Sequence, residues 1–136
     1  MKKYLVLLFF FLSLNTHAQT EDFLNCMGQT KPYIINQYSK YYIVENTDSD
    51  IEFKQSDKLV LIFTFENSLC NKVCTMYLDM KIGDDSYAWL AKNKTCLHSM
   101  QHNNSTFYEF DYSDKYNLLA IINTKENTWS FWYSLK

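Results

Sequence analysis

The chain contains no arginine; all 13 of its basic residues are lysine, set against 15 acids in 136 residues. A nucleic-acid reader needs a basic face and uses arginine for bidentate contacts. Neither is available here. Glycine occurs twice and proline once, too few to build a phosphate-cradling loop, and no G-x-S-x-G elbow is present to raise a hydrolase nucleophile. With so little glycine and proline, the turns must come from Asn, Asp, Ser and Lys. Such clusters occur at NTDSD (46–50), QSDK (55–58), ENSLCNK (66–72), SDKYN (113–117) and TKEN (124–127).

The N-terminal apolar run, Tyr4 to Leu14, follows Lys2 and Lys3 and precedes Thr16-His17-Ala18. At about 11 residues it is shorter than the ~20 that cross a bilayer and has the proportions of a secretory signal. Residues 1–18 are therefore expected to be removed, with residues 19–136 forming a single domain at a secreted or periplasmic address. The MKK opening and the Ala-Gln junction resemble bacterial export leaders. Gln19 stands where a lipid anchor would need cysteine, so no membrane attachment is expected after cleavage.

Between the turn clusters lie aromatic and β-branched runs with period two, which specify half-buried antiparallel strands. Leu59, Leu61, Phe63 and Phe65 alternate with Val60, Ile62 and Thr64; Cys74, Met76, Leu78 and Met80 alternate with Thr75, Tyr77 and Asp79; Trp129, Phe131, Tyr133 and Leu135 alternate with Ser130, Trp132 and Ser134. Helical signals fall at 21–39, broken by Gly28 and Pro32, and at 84–96, opened by Asp84-Asp85. The expected fold is α+β: an antiparallel sheet of about six strands with two helical segments packed on one face. Echoes between LVLIFTFEN (59–67) and LAIINTKEN (119–127), and between YYIVENTD (41–48) and FYEFDYSD (107–114), suggest a duplicated αβββ unit.

Four cysteines remain after the leader: Cys26, Cys70, Cys74 and Cys96. An even count in an exported chain points to two disulfides. Pairing Cys70 with Cys74 across a hairpin would place Phe63 opposite Lys81 and mix core with solvent. The expectation is instead that Cys74, on the stripe with Met76 and Leu78, faces a helix bearing Cys26 or Cys96, while Cys70 in the loop takes the other. Each bridge would be worth ~3 kcal/mol.

The segment CLHSMQH places Cys96, His98, Met100 and His102 at every second position, the ligand types of a copper or zinc site. On an extended strand successive members stand ~6.6 Å apart, too dispersed for one ion. The acids sit where helix starts and turns use them. No residue set calls for a cofactor or supports an enzyme. What remains is aromatic surface: Tyr77, Tyr108, Phe110, Tyr112 and Trp132 have the parity opposite to the expected core stripes and form the candidate binding face. In architecture alone, repeated helix-plus-sheet units with an aromatic face resemble exported inhibitors of the β-lactamase-inhibitor type. The expected function is a monomeric, exported, non-enzymatic module binding a protein or a small ligand. The alternatives are metal handling through Cys96, His98, Met100 and His102, and secreted enzyme inhibition.

Overall fold

A computed structural model describes residues 23–136; the expected leader lies outside the described residues. Helix α1 (Lys31–Gln37) is followed by strands β1 (Tyr42–Asn46), β2 (Asp50–Ser56), β3 (Leu59–Glu66) and β4 (Leu69–Tyr77). Helix α2 (Met80–Asn93) then precedes β5 (Thr95–His102), β6 (Ser105–Asp111), β7 (Tyr116–Asn123) and β8 (Thr128–Leu135). The eight strands form one sheet in the order β1-β2-β3-β4-β8-β7-β6-β5, antiparallel throughout. Each half is a helix followed by a four-strand meander, and the halves join where β4 pairs with β8.

The α+β class and the antiparallel sheet agree with expectation, but eight strands replace six. The strands not anticipated are β2 and β5. Strand β2 carries Asp50, Glu52 and Lys54 on one face and only Ile51 and Phe53 as buried apolar residues on the other, and β5 has neither aromatic nor apolar alternation because all eight of its residues are exposed. The repeat lies in the topology more than in the residues. Segments 59–67 and 119–127 do fall on the third strand of each half, yet Leu59 and Leu61 face the helices whereas Leu119 and Ile121 face away.

Hairpin geometry explains where the cysteine-bearing segment goes. Asn67 and Ser68 take φ of 51° and 68°, the two left-handed residues that a tight primed turn needs, and Asn tolerates that region best after glycine. The turn is thus two residues long, so Cys70 lies inside β4 and not in a loop. Thr64 pairs with Lys72 and Phe65 with Cys70, leaving Asn71 as the extra residue of a bulge. The bulge resets the alternation: Cys70, Val73, Thr75 and Tyr77 face the helices, while Cys74 and Met76 face away.

This overturns the expected disulfides. None of the four cysteines is bonded to another. Cys74 points away from both helices, and Cys96 lies not on a helix but on edge strand β5, four strands from β4. At ~4.8 Å per strand that is about 19 Å, far beyond the ~7 Å limit for a bridge. Cys70 and Cys74 share a strand but occupy opposite faces. Burial raises the Cys70 thiol to about 12, with Cys26 nearby adding to the effect. Burial also raises Cys74 well above its ordinary value. Both behave as small apolar side chains.

The core lies between the helices and one face of the sheet. Across it run the paired rows Ile51–Phe63–Val73–Tyr133–Leu118–Phe110 and Phe53–Leu61–Thr75–Phe131–Ala120–Tyr108. Helix α1 inserts Ile34 and α2 inserts Leu90. Helix α2 begins earlier than its acidic pair suggested: the Asp79 side chain accepts hydrogen bonds from the N–H groups of Lys81 and Ile82 and caps it. It approaches the sheet closely at Gly83, where an added Cβ would lie 2.2 Å from Trp129 Cδ1. Beside that contact Trp129 Nε1 donates to Asp84 Oδ1 at 2.8 Å, and Tyr87 stacks on the Trp129 ring at 5.0 Å.

Two outcomes follow. In the native protein a thiol reagent such as dithionitrobenzoate should label exposed Cys96 rapidly and the buried thiols slowly. Four equivalents should react after denaturation without reductant, and a mass deficit of one disulfide would contradict the arrangement. Gly83→Ala improves helix propensity by about 1 kcal/mol but drives a methyl into Trp129, an overpacking cost of about 1–3 kcal/mol or more. Thermal unfolding should therefore show a lower Tm for the variant despite the better helix former.

Candidate functional site

The two helices do not meet over the centre of the sheet. Between them lies a cavity of ≈ 770 Å³, within the range of small-molecule sites. Its floor is Gln55, Leu59, Leu61, Thr75, Tyr77, Phe131 and Tyr133 from β2, β3, β4 and β8. One wall is Tyr33 and Gln37 of α1 with Tyr38, Lys40 and Tyr41 after it; the other is Ile82, Asp85, Ser86, Trp89 and Leu90 of α2. Thr75 opens the floor, because this small residue is paired directly between Leu61 and Phe131.

The lining is aromatic and tightly braced. Tyr38 contacts Phe53 at 5.6 Å and Phe63 at 5.1 Å, and Tyr77 meets Phe131 edge-on at 5.7 Å. Tyr112 meets Tyr133 edge-on at 5.1 Å, with Lys94 Nζ 4.8 Å from the Tyr112 ring centre. Gln55 Nε2 donates to the Tyr41 hydroxyl at 3.2 Å, and the Cys26 thiol lies 3.9 Å from the Tyr38 hydroxyl. Burial, reinforced by Tyr112 and Tyr77, keeps the Tyr133 phenol neutral. Lys40 and Asp85 are the charged residues of the lining. No histidine lines the cavity among the described residues, and Ser86 Oγ donates to the Ile82 carbonyl at 2.9 Å.

The aromatic residues expected to share an exposed face are divided. Tyr77 and Tyr112 line the cavity. Phe110 is fully buried and Tyr108 packs 4.7 Å from Tyr87 beneath α2. Trp132 alone of the five belongs to the helix-free face, its Nε1 donating to Ser130 Oγ at 3.2 Å. The cause is the β4 bulge, which turns Tyr77 toward the helices, together with the parity of β6, which follows Phe110 inward. The cavity residues of α1 and α2 carried no separable signal, since the tyrosine abundance is spread along the whole chain.

The segment CLHSMQH is also divided. A bulge between Cys96 and His98 places Cys96 opposite core Phe110, whereas His98 lies opposite Glu109 on the helix-free face. Cys96 is thereby separated from His98, Met100 and His102, and no cluster of three metal-binding groups occurs among the described residues.

Across the helix-free face, register aligns His98, Glu109, Leu119, Trp132, Cys74, Ile62, Glu52 and Glu45 in one row. Cys74 and Ile62 are buried there, with no helix above them among the described residues. Glu52 is partly buried beside Ile62 and directly opposite Glu45; desolvation first, then Glu45 and Asp50, raises its carboxyl above the ordinary value.

The chain matches no family model, no curated protein and no solved structure.

Since Glu52 is harder to ionise in the folded chain than in the unfolded one, its contribution is favourable at low pH and is lost as pH rises through the raised folded value. Glu52→Gln should therefore raise Tm at pH 7. That gain should shrink toward zero below the ordinary carboxylate range, as a series of melts across pH would record.

Proposed function

We propose that this chain is a non-enzymatic binding module acting after export, with the cleft between α1 and α2 as its ligand site. The observation that carries the reading is the lining: nine aromatic residues around a cavity of ≈ 770 Å³ with two charged residues. Such a surface favours a neutral, largely apolar molecule with flat faces. Rings offer dispersion and edge contacts, while Gln55, Thr75 and the tyrosine hydroxyls supply a few directional hydrogen bonds. A strongly charged ligand would lose its hydration here with only Lys40 or Asp85 to offset it.

The test uses purified chain beginning at Gln19 and the neutral dye Nile red. The dye should bind saturably with a blue-shifted emission and perturb the fluorescence of Trp89, which is 42 % exposed on the α2 wall. Thr75→Phe puts a ring on the cleft floor and should weaken binding at least tenfold with the fold retained by circular dichroism. Trp132→Ala, on the opposite face, should leave binding unchanged. Equal dye affinity in Thr75→Phe, or saturable binding abolished by Trp132→Ala alone, would place the site elsewhere.

A further inference from the structure

We infer that β5 pairs with β5 of a second copy of this chain and that the pair binds zinc through His98 of one copy and His102 of the other.

Strand β5 is an outer strand of the sheet, and its eight residues, Thr95–His102, are all exposed. It contains no Lys, Asp, Glu or Pro, the residues by which edge strands ordinarily avoid pairing with one another. The other edge is different: β1 is five residues long, is interrupted by a bulge and carries Glu45. Beyond its own bulge, β5 is regular from His98 to His102, opposite Glu109 to Ser105.

Symmetry selects the register. Two copies joined edge to edge by a two-fold axis normal to the sheet form antiparallel strands, and directly opposed residues must share a face. The regular run His98–His102 is centred on Met100. Met100 then opposes Met100 of the second copy, and His98 opposes His102 of the second copy.

All three residues lie on the helix-free face, with Glu109 directly across from His98 on β6. Directly opposed residues have Cβ atoms ~4.5–5.5 Å apart, which lets two imidazoles converge on one zinc at ~2.0–2.1 Å each. The Glu109 carboxylate supplies the anionic ligand and matches the charge of the cation, leaving a position for water. His102 Nε2 lies 3.1 Å from Asn103 Nδ2, so Nδ1 is the nitrogen left to bind metal. Within one chain His98 and His102 are too far apart to share an ion, and dimerisation and metal binding are therefore one event. The two-fold axis creates two equivalent sites, one zinc per chain. Cys96 lies on the other face and takes no part.

Sedimentation velocity and calorimetric titration of the chain from Gln19 with zinc chloride test this. The chain should be monomeric in EDTA and dimeric with one zinc per chain, and Cys96→Ser should behave identically. His98→Ala and His102→Ala alter exposed side chains, so both should fold, and each alone should stay monomeric with zinc. An equimolar mixture of the two variants is decisive. The mixed pair retains one intact His102–His98 site, so the mixture should dimerise with one zinc per dimer. Zinc bound by a monomer, dependence on Cys96, oligomers larger than a dimer, or a mixture that stays monomeric would each overturn the inference.

Discussion

The ladder between β4 and β8 is the constraint on which the rest of the molecule depends. Six paired positions, from Lys72↔Ser134 to Tyr77↔Trp129, turn two four-strand meanders into one sheet. Because the two central strands run antiparallel and both helices precede their meanders, α1 and α2 lie over the same face with a gap above the join. Thr75 and Tyr77 of β4, with Phe131 and Tyr133 of β8, form the base of that gap. The cleft is thus a product of the join: four of its seven floor residues, Thr75, Tyr77, Phe131 and Tyr133, belong to the two central strands.

The β4 and β8 ladder also decides what the sequence could reveal. In β8, Trp129, Phe131 and Tyr133 are buried on one side and the alternation reads correctly. In β4 both sides are apolar. Val73 and Cys74 are each fully buried on opposite faces of the strand, so period two alone does not say which stripe faces the core. The bulge at Asn71 then shifts the phase by one residue. That shift explains at once why the cysteines do not pair and why Tyr77 joins the cleft. Strand β5 went unread for the opposite reason. It buries nothing, and a strand held by backbone pairing alone leaves little pattern in its side chains.

The cleft was less legible than the fold. Its residues come from both helices and four strands, and no local spacing links Tyr33, Tyr77 and Trp89. Their meeting depends on how far apart the two helices settle. Gly83 sets part of that distance by letting α2 descend onto Trp129, and the Asp84 bond to the Trp129 indole fixes it laterally. A glycine in a helix reads as a weak point in a sequence; here it is a point of closest approach.

The position of β8 has a consequence for how the chain acquires this shape. It is last in chain order yet sits between β4 and β7 at the middle of the sheet. The first meander can assemble from neighbours in sequence, as can β5, β6 and β7 with one another, but neither half gains its inner neighbour until the final strand arrives. Closing the centre last brings together residues about sixty apart, such as Cys74 and Trp132, and such non-local pairing is slow. Until then β4 and β7 present apolar open edges. Whenever β8 is unpaired, β4 and β7 both lack their inner neighbour, and the sheet is then most open to wrong association.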